Sequence, residues 1–103
     1  MVNYRVYIIV KEVKGYCAAG YKSGDVFAII ERFYIKSDKR IKISLHALNS
    51  MLTLIMPFIK GVSARSLGIG KEDNEGYIQC PDPGSPYTQG GTVVFKLIRE
   101  ELK

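Results

Sequence analysis

Wound as a helix, the segment from Leu45 to Ile59 leaves only a narrow polar stripe. Leu45, Leu48, Leu52, Ile55 and Ile59 fall on one apolar face, widened by Met51, Leu54 and Phe58. His46, Asn49, Ser50, Thr53, Pro57 and Lys60 share the opposite stripe. Such a helix must cover most of its circumference, against a sheet or a second subunit. It falls short of the about 20 apolar residues that a bilayer crossing needs, and polar residues and Pro57 interrupt it. Ser44 can cap its start by accepting an orphan amide hydrogen bond, and Gly61 is placed to stop it. Pro57 removes one helical hydrogen bond and should loosen the last turn. The pattern predicts burial of Leu48, Leu52, Ile55 and Ile59.

The rest of the chain reads as strands. From Val2 to Lys11 one parity carries Val2, Tyr4, Val6, Ile8 and Val10, the alternation of a half-buried strand. After a glycine-containing turn region, Val26 to Ile30 forms a second strand, continuing through Glu31-Arg32 into Phe33-Tyr34-Ile35. Beyond the helix, Tyr77 to Cys80 is a short strand and Thr92 to Arg99 a longer one. The expected fold class is α+β: a small, mainly antiparallel sheet of about four strands in β-β-α-β-β order, the helix on one face. At 103 residues, 47% of them hydrophobic, the chain suits one domain spanning 1–103.

Charge and leader signals narrow the function classes only in part. The net charge of +5 permits nucleic-acid contact without requiring it. Lys36, Lys39, Arg40 and Lys42 form a local basic patch beside Tyr34, the type of surface on which single strands stack and pair charges. A solvated connection accounts for the same residues. The N-terminus shows neither the basic region nor the apolar run of a signal peptide, which makes a cytoplasmic location, with no membrane attachment, the expectation. There the two cysteines stay reduced.

No complete catalytic motif is present. Gly68-Ile69-Gly70-Lys71 is no phosphate loop, because Arg65 and Glu72 stand where glycine and a hydroxyl residue are needed. A lone histidine, His46, excludes a two-histidine metal pair. Cys17 and Cys80 each lie in or beside a turn at a strand end. There they can converge as metal ligands or a redox pair, or serve as small packing residues. If the first helical turn covers the same margin, His46 joins them, and zinc or another transition metal would still need a fourth ligand from Asp82 or water.

The run from Val13 to Phe27, the helix start Leu45-His46-Ala47-Leu48, and Cys80-Pro81-Asp82-Pro83 before Val93 to Leu97 together carry a resemblance. The chain resembles a family of small prokaryotic proteins of uncharacterised function, whose pattern is roughly G-x-C-x-x-G-H-K-x-G-D-x-F, a leucine-histidine-alanine-leucine helix start and a closing C-P-D-P. The resemblance singles out Cys17, His46, Cys80 and Asp82 and implies no activity. Tyr21 stands where that family shows histidine, and no cysteine precedes the helix where relatives carry one. Residues Tyr87 to Gly91 look like an insertion. If relatives hold a metal with those groups, this chain offers fewer ligands. On the residues alone, the expectation is an interaction module without catalysis, with a homodimer as one form. The rivals are a metal or thiol-redox site and nucleic-acid binding through the basic patch.

Overall fold

The structure is a computed structural model that describes residues 3–15, 20–32, 34–38, 40–79 and 91–102. Its elements are β1 (Asn3–Lys14), β2 (Val26–Glu31), β3 (Tyr34–Lys36), α1 (Leu45–Ile59), β4 (Glu75–Gln79) and β5 (Thr92–Leu102). They form one five-stranded sheet in the order β3-β2-β1-β5-β4, antiparallel throughout. The expected α+β architecture is present, with one strand more than the patterning indicated. The chain does not run straight from β2 through Tyr34 but reverses after Glu31. Arg32 sits at φ 58, and Glu31 pairs with Tyr34 and Ile29 with Lys36.

One face of the sheet carries the core. Val6, Ile8 and Val10 of β1 and Val93, Phe95 and Leu97 of β5 alternate inward, as the period-two pattern requires. Two bulges adjust this alternation. Ile8 pairs with Ala28 and Ile9 with Val26, leaving Phe27 as an extra residue in β2. The extra residue turns the Phe27 ring inward, edge-on to Tyr21 and Phe95 at centroid distances of 5.4 and 5.0 Å. In β1, Lys11 is the extra residue, between the pairs Val10–Phe95 and Glu12–Val94.

α1 begins and ends where its caps dictate. Ser44 has extended backbone and its hydroxyl accepts from the Ala47 amide. Gly61 takes φ 105 just past the C-cap Lys60, and a Cβ there would sit 3.2 Å from the Tyr4 ring. Despite its missing amide, Pro57 is accommodated, with the helix continuing to Ile59.

The buried face of α1 differs from the one the pattern predicted. Ala47, Met51, Ile55, Phe58 and Ile59 are buried, whereas Leu48 is half-buried and Leu52 is 44% exposed. The polar stripe does face outward at His46, Asn49, Thr53 and Lys60. Relative to the predicted face, the helix is turned by somewhat less than one residue's rotation of about 100°. A helix apolar on nearly all sides has a weakly determined phase, and here its two tethered ends set it. At the start, the buried Tyr21 hydroxyl donates to the Lys42 carbonyl at 2.6 Å and accepts from the Ser44 amide at 2.7 Å. At the end, the Arg99 guanidinium donates to the Phe58 and Val62 carbonyls, each at 2.7 Å.

Candidate interaction surface

Of the residues that sequence reasoning put in one site, Cys17, Cys80 and Asp82 lie outside the described residues. His46 is described and stands exposed on the first turn of α1. The surrounding backbone is informative. β1 and β4 both flank β5, with Lys14 opposite Thr92 and Gln79 opposite Val94, so both strands finish at the same end of the sheet. Tyr21, packed on Phe95 of β5, fixes the start of α1 toward that end. Among the described residues, no three His, Cys, Asp or Glu side chains gather as a metal cluster.

The basic patch is partly neutralised within the chain. Arg40 forms an ion pair with Asp38 at 3.2 Å, which holds the Asp38 carboxyl below its ordinary range. Lys36 lies 3.6 Å from Glu31. Tyr34 is 71% exposed and Lys42 is exposed, while Lys39 lies outside the described residues.

The sheet face turned away from α1 is bound together by its own charges. Arg5 donates to Glu31 at 2.7 Å and to Glu100 at 3.1 Å, and the Tyr7 hydroxyl donates to Glu100 at 3.0 Å. The hydrogen bond from Arg5 holds the Glu31 carboxyl below the usual carboxylate range. Lys96 and Glu75 add a looser pair at 3.8 Å. Antiparallel sheets commonly leave one such face solvated, and this one satisfies its own charges.

The outer flank of α1 is of another kind. Leu45 is 80% exposed, Leu52 44% and Met56 51%, with half-buried Leu48 beside them. Spaced by seven and four residues, the three exposed side chains make a row along one flank of the helix. The connection from Val62 to Glu75 folds back on itself, the Ala64 amide donating to the Asp73 carbonyl and the Arg65 amide to the Glu72 carbonyl, and buries Ala64. Gly70 belongs to this packing, since a side chain there would collide with the Glu75 carbonyl. α1 itself contains no Asp, Glu, Lys or Arg.

Sequence reasoning missed the part played by Arg99, which is 7% exposed. Besides the two carbonyls of the helix end, it donates to the Asp73 carbonyl at 3.1 Å and to Asn74 Oδ1 at 3.0 and 2.8 Å. Strand parity offered the signal, because Arg99 continues the inward series Val93, Phe95, Leu97. No family model, curated protein or solved structure matches this chain.

Proposed function

We propose that this chain is a small interaction module, without catalysis, whose working surface is the outer flank of α1. One observation carries the reading: Leu45, Leu52 and Met56 of a helix free of Asp, Glu, Lys and Arg stand in solvent. A row of long apolar side chains on a well-tethered helix is the type of feature that protein partners cover. The opposite sheet face, with its charges already paired, has less to gain from a partner. The test is a photoreactive benzophenone residue placed at position 52 in the cells that make the protein. A discrete protein adduct, weakened by Met56→Glu, supports the reading. No adduct beyond that given by the same probe at Lys71, on the connection after α1, overturns it.

A second reading is favoured by the shared end of β1, β4 and the α1 start. On this reading Cys17, Cys80, His46 and Asp82, the positions that the resemblance singles out, would hold zinc or a related metal, or the two thiols would act as a redox pair. Metal analysis of protein purified without added metal tests the metal form. About one equivalent of metal, lost in Cys17→Ser, supports it, and metal-free protein with unchanged stability in Cys17→Ser counts against it.

A further inference from the structure

We infer that the sheet face turned away from α1 is a stacking platform for single-stranded nucleic acid, with Tyr34, Tyr7 and Tyr77 as its rings. This surface lies opposite the helix flank of the interaction-module reading and goes beyond it.

The register of the sheet aligns the three rings. Tyr34 lies opposite Glu31 and Glu31 opposite Arg5, which sets Tyr34 level with Arg5 on the outer face. Tyr7 stands two residues further along β1, opposite Ile98. Ile9 and Lys96 form the next outward pair, and Lys96 lies opposite Tyr77. Each step from one tyrosine to the next thus crosses two strand spacings and advances two residues in the same sense, about 12 Å. The row is a diagonal of about 24 Å from the edge strand β3 to the edge strand β4. Tyr34 is 71% exposed and Tyr77 42%. Half-buried Tyr7 is held in place, its hydroxyl accepting from Arg5 at 3.3 Å and donating to Glu100 at 3.0 Å. Half-buried Ile9, Ile29 and Ile98 fill the surface between the rings.

Aromatic rings in a row on an open sheet are a surface on which unstacked bases lie, since every base has a ring face to offer. Charge separates this ligand from others. Glu31 and Glu100 are both countered by Arg5, and Glu75 by Lys96, so these carboxylates of the face do not stand bare against a phosphate. At each end of the diagonal stands a cation with no ion pair among the described residues. Arg32 lies at the reversal between β2 and β3, beside the Tyr34 end. Lys71 shares with Tyr77 a cleft of about 600 Å³, lined also by Gly70, Glu72 and Glu75. Glu72 works against a phosphate there, and its removal is part of the test.

The Lys36–Glu31 and Lys96–Glu75 contacts, at 3.6 and 3.8 Å, are loose enough for both ammonium groups to turn to a phosphate as well. The net charge of +5 adds a general attraction for a polyanion. A neutral sugar chain would stack on the same rings but leave these cations unused. A protein partner gains little from a face whose central charges are already paired, whereas a base needs from it only a ring.

Fluorescence anisotropy of a fluorescein-labelled thymidine decamer, titrated with the full chain under reducing conditions in about 50 mM salt, tests the platform. A saturable rise with a dissociation constant of about 1–100 µM is expected. Its logarithmic salt slope should lie between about −1.4 and −2.8, as roughly two to four phosphate contacts require. Tyr34→Ala and Tyr77→Ala should each weaken binding about fivefold or more, and Tyr34→Phe should keep it. Both tyrosines are exposed, so the circular dichroism of these variants should match wild type. Arg32→Ala and Lys71→Ala should weaken binding and each flatten the salt slope by about 0.7, while Glu72→Gln should tighten it. Lys22→Ala removes the same charge from the exposed turn before β2 and should change binding less than about twofold. No binding of the decamer, or tyrosine-to-alanine variants that bind as wild type does, overturns the proposal. Equal losses in Lys22→Ala and Lys71→Ala also overturn it, because they mark charge attraction without a site. Binding of cellohexaose in place of the decamer overturns it too and assigns the rings to sugar. None of these outcomes bears on the photoreactive probe at position 52, so the two readings fail separately.

Discussion

The Arg99 guanidinium donates to the Phe58 carbonyl at 2.7 Å while its carbon lies 4.5 Å from the centre of the ring of that same residue. It also lies 4.8 Å from the Tyr4 ring centre, so a nearly buried cation is held by carbonyl oxygens and two aromatic faces. Burial lowers its pKa, yet an arginine stays charged at any ordinary pH. Arg99→Met would leave the Phe58, Val62 and Asp73 carbonyls without this donor. Loss of stability by about 3 kcal/mol or more is expected, measured by urea unfolding. Arg99→Lys, with fewer donors and no planar fork, should recover only part of it.

The rotation of α1 makes a paired prediction. Met51→Ala should cost about 2–5 kcal/mol, because Met51 is fully buried and its loss leaves a cavity. Leu52→Ala, at a half-exposed position, should cost about 1 kcal/mol or less. Equal costs would place the helix in a different rotation.

Tyr21→Phe keeps the ring against Phe27 and Phe95 and removes one oxygen. The Lys42 carbonyl loses its donor and the Ser44 amide its acceptor. A loss of about 1–3 kcal/mol is expected. It should appear first as faster amide exchange at Leu48, whose amide donates to the Ser44 carbonyl at 2.9 Å.

Gly61→Ala forces an L side chain into φ 105 against the Tyr4 ring. The expected cost is about 1–2 kcal/mol from the backbone alone, with more from the contact. A melt unchanged from wild type would contradict the cap geometry.

Acid should destabilise the fold through Glu31, Asp38 and Asp73. Their carboxyls sit below the ordinary range, chiefly through side-chain hydrogen bonds from Arg5, Arg40 and Ser63 respectively. In the acid range the unfolded chain then binds more protons than the folded one, so stability falls as pH falls. The contribution is complete above the unfolded carboxylate range and disappears through the depressed folded values. Glu31→Gln should flatten the acid limb of a plot of stability against pH, while leaving the limb above neutrality unchanged.

Much of the fold could be read from local pattern. Alternation in β1 and β5, the Ser44 cap and the Gly61 stop each rest on a few neighbouring residues, and each is where the pattern put it. What escaped depends on distant contacts. The reversal at Arg32 carries no glycine or asparagine at its positive φ, so β3 looked like more of β2. The bulge at Phe27 arises in the pairing with β1, and the phase of α1 from ties to Tyr21 and Arg99. For the candidate site, composition identified α1 as apolar on most sides. Which leucines remained outside depended on that same phase.

The place of β5 governs how the protein can assemble. β5 lies between β1 and β4, pairing with β1 from Asn3–Leu102 to Lys14–Thr92 and with β4 from Glu75–Ile98 to Gln79–Val94. During synthesis β1, β2 and β3 can form a meander early, but β4 has no strand to join until β5 follows it from the ribosome. Until then β1 presents one open edge, and the Val6, Ile8 and Val10 side of the sheet lacks Phe95 and Leu97. Contacts this far apart in sequence slow folding, toward the millisecond-to-second range of proteins dominated by non-local pairing. Whenever β5 is undocked, β1 therefore exposes an aggregation-prone strand edge, and the docking of β5 closes it.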